Sequence, residues 1–444
     1  MPKLEADEVA AFTGHSRPTD PTTRVFDALP PELADRVPWD VCDHIISSLV
    51  GDQDALCRLA LVSRAWNERA TAVLFSDVTI RSSIMLDSLA RLAVQDPRVR
   101  AHLAKTRMLR LRQRTAQEKA TAFVHAVPLV LGTLLPGLRC VKMEHCPKTA
   151  VHPTFFISLP VFKSVTSLKL CFFLLHSFSE LRRIICAFPQ LRTLSIHYAN
   201  VLQSTTRRTA LANAHSLDRA LPRSSVKLEY LSLGWDMPAS LASELVDWLV
   251  GSSALDALSM MELYLREPER MPPMNRLLEA AGSSLLWLRE VYWDVDTDLK
   301  LHCALTPNTN LQSIEVNLGS TSWAGAALEL LTFLQTVQST QLQRLRIWIQ
   351  SSKPWTPEGE HPDSMHSAGS FRVLHAELAR KAFDALQSVR VVVTVHYDDE
   401  RWDRLAADAA ADNIVTGIRV LLAPWDARGV LETVRMEWRD RPVD

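Results

Sequence analysis

From about residue 100 onward, the chain repeats one short phrase, Leu-x-x-Leu-x-Leu, in which each apolar letter is open to Val, Ile, Met or an aromatic residue. The clearest copies are Leu191-Leu194-Ile196, Leu228-Leu231-Leu233, Leu255-Leu258-Met260, Leu311-Ile314-Val316 and Leu342-Leu345-Ile347. Looser ones are Leu138-Val141-Met143, Val165-Leu168-Leu170, Leu288-Val291-Trp293, Leu386-Val389-Val391 and Leu431-Val434-Met436, with a faint first copy at Thr106-Leu109-Leu111. The alternation that ends each phrase is that of a strand with one buried face. Helical stripes stand before several copies: Leu181, Ile184, Ile185 and Phe188; Leu241, Leu245, Trp248 and Leu249; Leu328, Leu331, Leu334 and Val337; Leu378, Ala382 and Ala385. A helix-then-strand unit repeated about ten times buries each apolar face only against its neighbours, which is the logic of a solenoid.

The expected fold class is therefore α/β: a small all-α helical module at the N-terminus, followed by a leucine-rich-repeat horseshoe of about ten helix-strand units over residues 81–444. Start-to-start intervals run from 23 to 45 residues, so the longer ones need insertions. A doubly wound α/β domain also alternates helix and strand, but no glycine-rich turn follows any predicted strand and the chain holds only 13 glycines. Residues 351–370, rich in Pro, Gly, Ser and charge, read as an exposed loop, and residues 1–35 as a mobile tail. If the leucines point inward, the residues between them line a concave face. It would carry Arg110, Arg112, Lys142, Glu144, Lys169, Ser195, His197 and Tyr230, and later Arg435 and Glu437. Its richest sector in interface anchors is Tyr292, Asp294, Glu315, Asn317, Arg346 and Trp348, the expected target-binding patch.

Residues 36–80 differ in kind. Pro38 sits where a first helical turn tolerates proline, and Val41, Ile45, Ile46 and Leu49 follow at helical spacing. Gly51, Asp52 and Asp54 mark a turn, after which Leu56, Leu59, Ala60, Val62 and Trp66 form a second stripe ahead of Leu74 and Phe75. A Pro opening one helix and A-L-V-S-R-A-W closing the next resembles the F-box pattern, over about a tenth of the chain. The 25 positions from Pro38 to Ser63 fit that family's spacing, whereas the upstream Leu29-Pro30-Pro31 is a competing start that fits less well. The resemblance implies docking to a Skp-type adaptor, and through it to a cullin-RING (SCF) ubiquitin ligase. It places Pro38, Ile45, Leu49, Leu56 and Leu59 toward the adaptor, with Val62 and Trp66 closing the module's own core. The alternative is an ordinary helical hairpin capping a larger domain.

The rest of the composition narrows the function by exclusion. A net charge of −1 and a pI near 6.9 provide no overall field for polyanions, so nucleic acid is not an expected partner. No apolar stretch is long enough to span a bilayer and no early segment has the layout of a signal peptide, so the expected setting is cytoplasmic or nuclear, without a membrane partner. Seven scattered cysteines with no Cys-x-x-Cys pair speak against a disulfide framework or a zinc module.

Catalytic motifs are missing, and no cofactor is expected. Asp294, Asp296 and Asp298 alternate like the start of a calcium loop, but Leu299 and Leu305 stand where Gly and Glu are needed. His145-Cys146 are chain neighbours, which point apart in a strand, and Cys146 reads as structural. His396, Asp398, Asp399 and Glu400 form a polar group after a strand-like run, the sole basis for an enzymatic reading. The expected function is a non-enzymatic substrate receptor of an SCF-type ligase; a protein-interaction scaffold with no ligase role is the alternative.

Overall fold

The computed structural model describes residues 38–112, 123–145, 153–201, 226–234, 237–265, 268–291, 302–319, 322–351, 369–395 and 404–435. The expected tail and nearly all of the 351–370 loop lie outside these residues, as do Tyr292, Asp294, Cys146 and His396 to Glu400.

Three helices open the described chain: α1 (Trp39–Ser48), α2 (Gln53–Leu59) and α3 (Arg64–Ser76). Strand β1 (Asp77–Ile80) follows α3 with no intervening residue, then α4 (Ser83–Gln95), α5 (Pro97–Leu103) and β2 (Met108–Arg112). The chain continues through α6 (Val127–Leu131), β3 (Cys140–Glu144), α7 (Pro153–Ser158), β4 (Ser167–Cys171), β5 (Leu174–Leu175), α8 (Phe178–Cys186), β6 (Thr193–His197) and β7 (Asn200–Val201). Next come β8 (Tyr230–Leu233), α9 (Ala239–Val250), β9 (Met260–Tyr264), α10 (Met271–Ala281), β10 (Trp287–Val291), β11 (Ser313–Leu318), α11 (Trp323–Thr336) and β12 (Arg344–Ser351). The last elements are α12 (Gly369–Leu378), β13 (Ser388–Val395), α13 (Arg404–Leu421), α14 (Ala423–Ala427) and β14 (Leu431–Arg435).

Twelve of these strands form one all-parallel sheet, in the order β1-β2-β3-β4-β6-β8-β9-β10-β11-β12-β13-β14, while β5 and β7 pair separately. Together with fourteen helices among the described residues, this is an α/β fold. It corrects the expected architecture: the chain is not a small all-α module followed by a leucine-rich horseshoe of about ten units. The physical reason lies in the sequence Asp77-Val-Thr-Ile80, which holds no Leu-x-x-Leu-x-Leu phrase and therefore passed as the end of a helical module. Val78 and Ile80 are buried and belong to the main core, and Asp77 to Ile80 pair with Met108 to Leu111, so the sheet begins inside the segment assigned to the module.

The core lies between the helices and one face of the sheet. Inward residues Leu109, Val141, Leu168, Leu194, Leu231, Ile314 and Leu345 join one apolar cluster with Leu181, Ile184, Leu245, Leu278 and Leu330 from the helices. Leu328 instead faces solvent, and the stripe of α11 is Trp323, Ala326, Ala327, Leu330, Phe333 and Leu334. Helix α13 approaches this helix closely, because a side chain at Gly417 would stand 2.1 Å from the Trp323 ring.

Three phrases sit three residues away from where the sequence placed them. Met260 pairs with Tyr230 and is 41% exposed, while Met261 and Leu263 are fully buried, so the phrase in β9 is Leu258-Met261-Leu263. In β10 it is Leu285-Leu288-Glu290, and in β14 Leu431 takes the place opposite Val389. Leucine is frequent enough around these strands to support both registers, and only pairing with the neighbour decides between them.

At the ends of β3, β4 and β6, His145, Phe172 and Tyr198 adopt left-handed backbone with φ of 51°, 52° and 54°. Each such non-glycine residue costs about 1–2 kcal/mol. Their rings stack nearly parallel at 4.4 and 4.1 Å, which offsets part of that cost. The His145 and Phe172 N–H groups meanwhile donate to the carbonyls of Cys171 and His197 at 3.0 Å, so hydrogen bonding between neighbouring segments continues through the bend.

The β9 register has a measurable consequence. Met261→Ala should cost about 2–5 kcal/mol in urea unfolding. Met260→Ala should stay within about 0.5 kcal/mol, since its side chain is on the open face.

Candidate functional site

Two surfaces stand out when the residues are placed. The first is on the N-terminal helices. Asp52 caps α2 by accepting from the Ala55 N–H at 2.9 Å, and Ser63 caps α3 by accepting from the Trp66 N–H at 3.3 Å. The Ser of the V-S-R-x-W segment therefore starts a helix, where the sequence reading had one helix run through it. Ile46, Leu56, Ala70 and Val73 make a small core of their own, separate from the main one, flanked by Leu49, Leu59, Ala60, Trp66 and Leu74.

This geometry redistributes the expected roles. Leu56 is inside the module's core and not on an adaptor-facing surface. Val62, expected to close that core, is 63% exposed, and its neighbour Leu61 is 86% exposed. Pro38 and Ile45 are exposed, whereas Leu49, Leu59 and Trp66 are half-buried against the small core. Trp39, Val41 and Val50 add further exposed apolar surface to the same three-helix unit.

The second surface is the face of the sheet opposite the leucines. Register places one side chain from each successive strand in a single row: Arg110, Lys142, Lys169, Ser195, Ser232, Glu262, Arg289, Glu315, Arg346, Arg390 and Glu432. Its two halves differ. From Glu262 onward the charges alternate and zip together: Arg289 meets Glu262 at 3.1 Å and Glu315 at 3.6 Å, and Arg346 meets Glu315 at 3.1 Å. Toward β2 three cations stand on adjacent strands, with Arg110 paired to Asp77 and Lys142 to Glu144, each at 2.6 Å. Burial pushes the Glu144 carboxyl up, but the Lys142 hydrogen bond and the charges of Lys142, Arg112 and Arg110 hold it below its usual value.

Of the expected target-binding residues, Glu315 and Arg346 are brought together, Asn317 is buried and Trp348 is half-buried. Tyr292 and Asp294 lie outside the described residues, and the three-residue register shift puts Arg289 in the row where the sequence reading had placed Tyr292.

Where the halves meet, Glu262 is a hub. Tyr230 donates to its Oε2 at 2.6 Å, Ser232 to the same oxygen at 3.3 Å and Tyr264 to Oε1 at 3.2 Å. Burial and the Glu262 hydrogen bond push the Tyr230 phenol well up, so it stays a donor. Ser232 Oγ also stands 3.2 Å from His197 Nε2, a pair that invites a nucleophile-and-base reading. The hydroxyl has one proton, and donating it to the carboxylate leaves the imidazole nothing to abstract. Ser232 is moreover buried, so it links Glu262 to His197 and offers no attacking oxygen. Burial lowers the His197 pKa, and the ring lies over Gly234, where a Cβ would come within 2.1 Å of Nδ1.

A third group was missed because it breaks the leucine phrase. Glu290 occupies the last inward position of β10, fully buried. The ring of His302 donates to Glu290 at 2.8 Å through Nδ1 and to Glu329 of α11 at 3.1 Å through Nε2. Remaining acceptor capacity is filled by the Cys303 N–H on Glu290 at 3.0 Å and by the Gly319 N–H on Glu329 at 3.0 and 3.2 Å. This clasp ties His302 and Cys303 to strand β10 and to helix α11. Among the described residues, no group of three or more His, Cys, Asp or Glu is arranged to hold a metal ion, and no helix is long and apolar enough to cross a membrane.

No protein-family model matches this chain, and no curated protein matches it in sequence.

The clasp sets a pH dependence. Burial works to lower the His302 pKa, but the hydrogen bonds and charges of Glu290 and Glu329 raise it from 6.5 to about 9. Between those values the folded chain keeps a proton that the unfolded chain has released, so its contribution is complete below about 6.5 and is lost as pH rises through about 9. Urea titrations at stepped pH should show that decline, and His302→Gln should flatten it while costing about 3–5 kcal/mol near neutrality, because two buried carboxylates lose their counter-charge.

Proposed function

We propose that this protein is a non-enzymatic adaptor: its N-terminal helices dock onto a Skp-type subunit of a cullin-RING ubiquitin ligase, and the open face of its sheet receives a target protein. The observation that carries this reading is the distribution of apolar side chains on the three-helix unit. A chain folding for itself alone would bury Leu61 and Val62 before exposing them in the turn between α2 and α3, yet both stand in solvent beside a core that is already complete without them. The F-box resemblance of Pro38 to Phe75 supports the same conclusion. A row of polar and charged side chains on the sheet face opposite the leucines, buried at Ser195, Ser232 and Glu262 and accessible on either side of them, is suited to protein recognition. In this role acceleration of ubiquitin transfer is a proximity effect supplied by holding target lysines near another subunit.

A second reading has its own support. Because α3 runs directly into β1, the first strand of the sheet, the helices stand at that end of the sheet, where a cap with no ligase role would also stand. One experiment separates the two. Co-expression with a Skp-type adaptor should give a stable complex, and the double variant Leu61→Asp with Val62→Asp should abolish co-purification without lowering the melting temperature of the chain. Retention of the adaptor by that variant, or no complex with the intact chain, favours the cap. Leu56 is unsuitable for this test, since a charge there would unfold the module.

A further inference from the structure

On the β2–β6 side of the open face, two cations are left over among the described residues after the ion pairs are made. Lys169, on β4, stands in the row between Lys142 and Ser195, and Arg112 ends β2 in the next row, across from Glu144. Both are exposed, and neither makes an ion pair among the described residues. Asp77 is taken by Arg110 and Glu144 by Lys142, with Arg112 adding its charge beside the Glu144 carboxylate, so four cations face two carboxylates. Lys142 and Lys169 also disfavour the charged form of His197 and favour that of Cys171, against the opposing charges of Glu262 and Glu144. In the far half Glu262, Arg289, Glu315 and Arg346 neutralise one another in sequence, and Arg344 stands exposed without an ion pair among the described residues.

We infer that the β2–β6 sector of the open face binds an extended acidic peptide segment of the target, with its carboxylates on Lys169 and Arg112. The spacing favours separate carboxylates over a single phosphate. Two strand spacings across and two residues along put these Cα positions about 12 Å apart, which an extended chain spans in roughly four residues. One phosphate dianion, by contrast, is best served by cations converging on a point. This inference rests on the reading that the open face receives the target, and it needs no adaptor to be tested.

The probe is a fluorescent peptide of Ala, Ser and Gly with two glutamates four residues apart, titrated by anisotropy against the full chain at low and moderate salt. Binding that weakens with salt, and that falls at least roughly tenfold when the glutamates become glutamine, is the expected result. Lys169→Glu with Arg112→Glu should lose at least roughly tenfold, Lys169→Gln with Arg112→Gln a smaller amount, and Arg390→Glu at the far end nothing. All three proteins should melt with the parent, since the residues changed are surface side chains. No binding by the intact chain, equal binding of the glutamine peptide, or indifference to both Lys169 and Arg112 pairs of substitutions would overturn the proposal. So would tighter binding of a phosphoserine peptide lacking glutamates. The Leu61→Asp, Val62→Asp protein should still bind the acidic peptide, so loss of adaptor binding and loss of peptide binding are read independently.

Discussion

The structure depends on strict register between chain-adjacent parallel strands. Each inner strand of the large sheet is bonded to the sheet strand before it and the sheet strand after it in sequence, and side chains alternate between a greasy face and a wet one. A slip of one residue anywhere would exchange the two faces of a strand. The inward positions oppose slippage collectively: Leu168 is held by Val141 on one side and Leu194 on the other, and all three rest on the helices. That same constraint aligns the outward residues into a single row, so the polar surface is a by-product of packing the apolar one.

How much of this was legible follows from where the constraint is local. The helical stripe Leu181, Ile184, Ile185 and Phe188 could be read directly, because its period is in the sequence and its residues are buried as that period requires. The strand Asp77–Ile80 could not, since four residues with a single buried alternation carry no phrase and gain their meaning from Arg107 to Leu111 beyond them. The β10 register failed for another reason. A carboxylate at an inward position looks like surface in one dimension, and Glu290 becomes acceptable inside only once His302, twelve residues later, folds back over it. Misreading that strand moved the expected patch onto Tyr292 and Asp294 and hid Arg289. The N-terminal helices were found, but helical period alone cannot tell Ile45 from Ile46 or assign Val62 to solvent, because adjacent apolar residues differ only in which side of a turn the partner helix occupies.

The open face carries its charge unevenly. Around Glu262 the tyrosines, the serine and Arg289 satisfy both oxygens of the carboxylate and leave little to offer a partner. Toward β2 the same row is incompletely paired. On the inferred peptide site, an outside ligand would complete the pattern of the unzipped half.

The junction of α3 and β1 also has a mechanical meaning. Phe75 and Ser76 end the helix with their carbonyls taken by the Thr106 hydroxyl at 2.8 Å and the Arg107 N–H at 2.9 Å, and Asp77 already lies in the sheet. No hinge separates the two. On the proposed reading, a subunit that grips the helices would aim the twelve-stranded plate directly, and a cargo held on that plate would be presented at a fixed bearing, without a swivel to search for it.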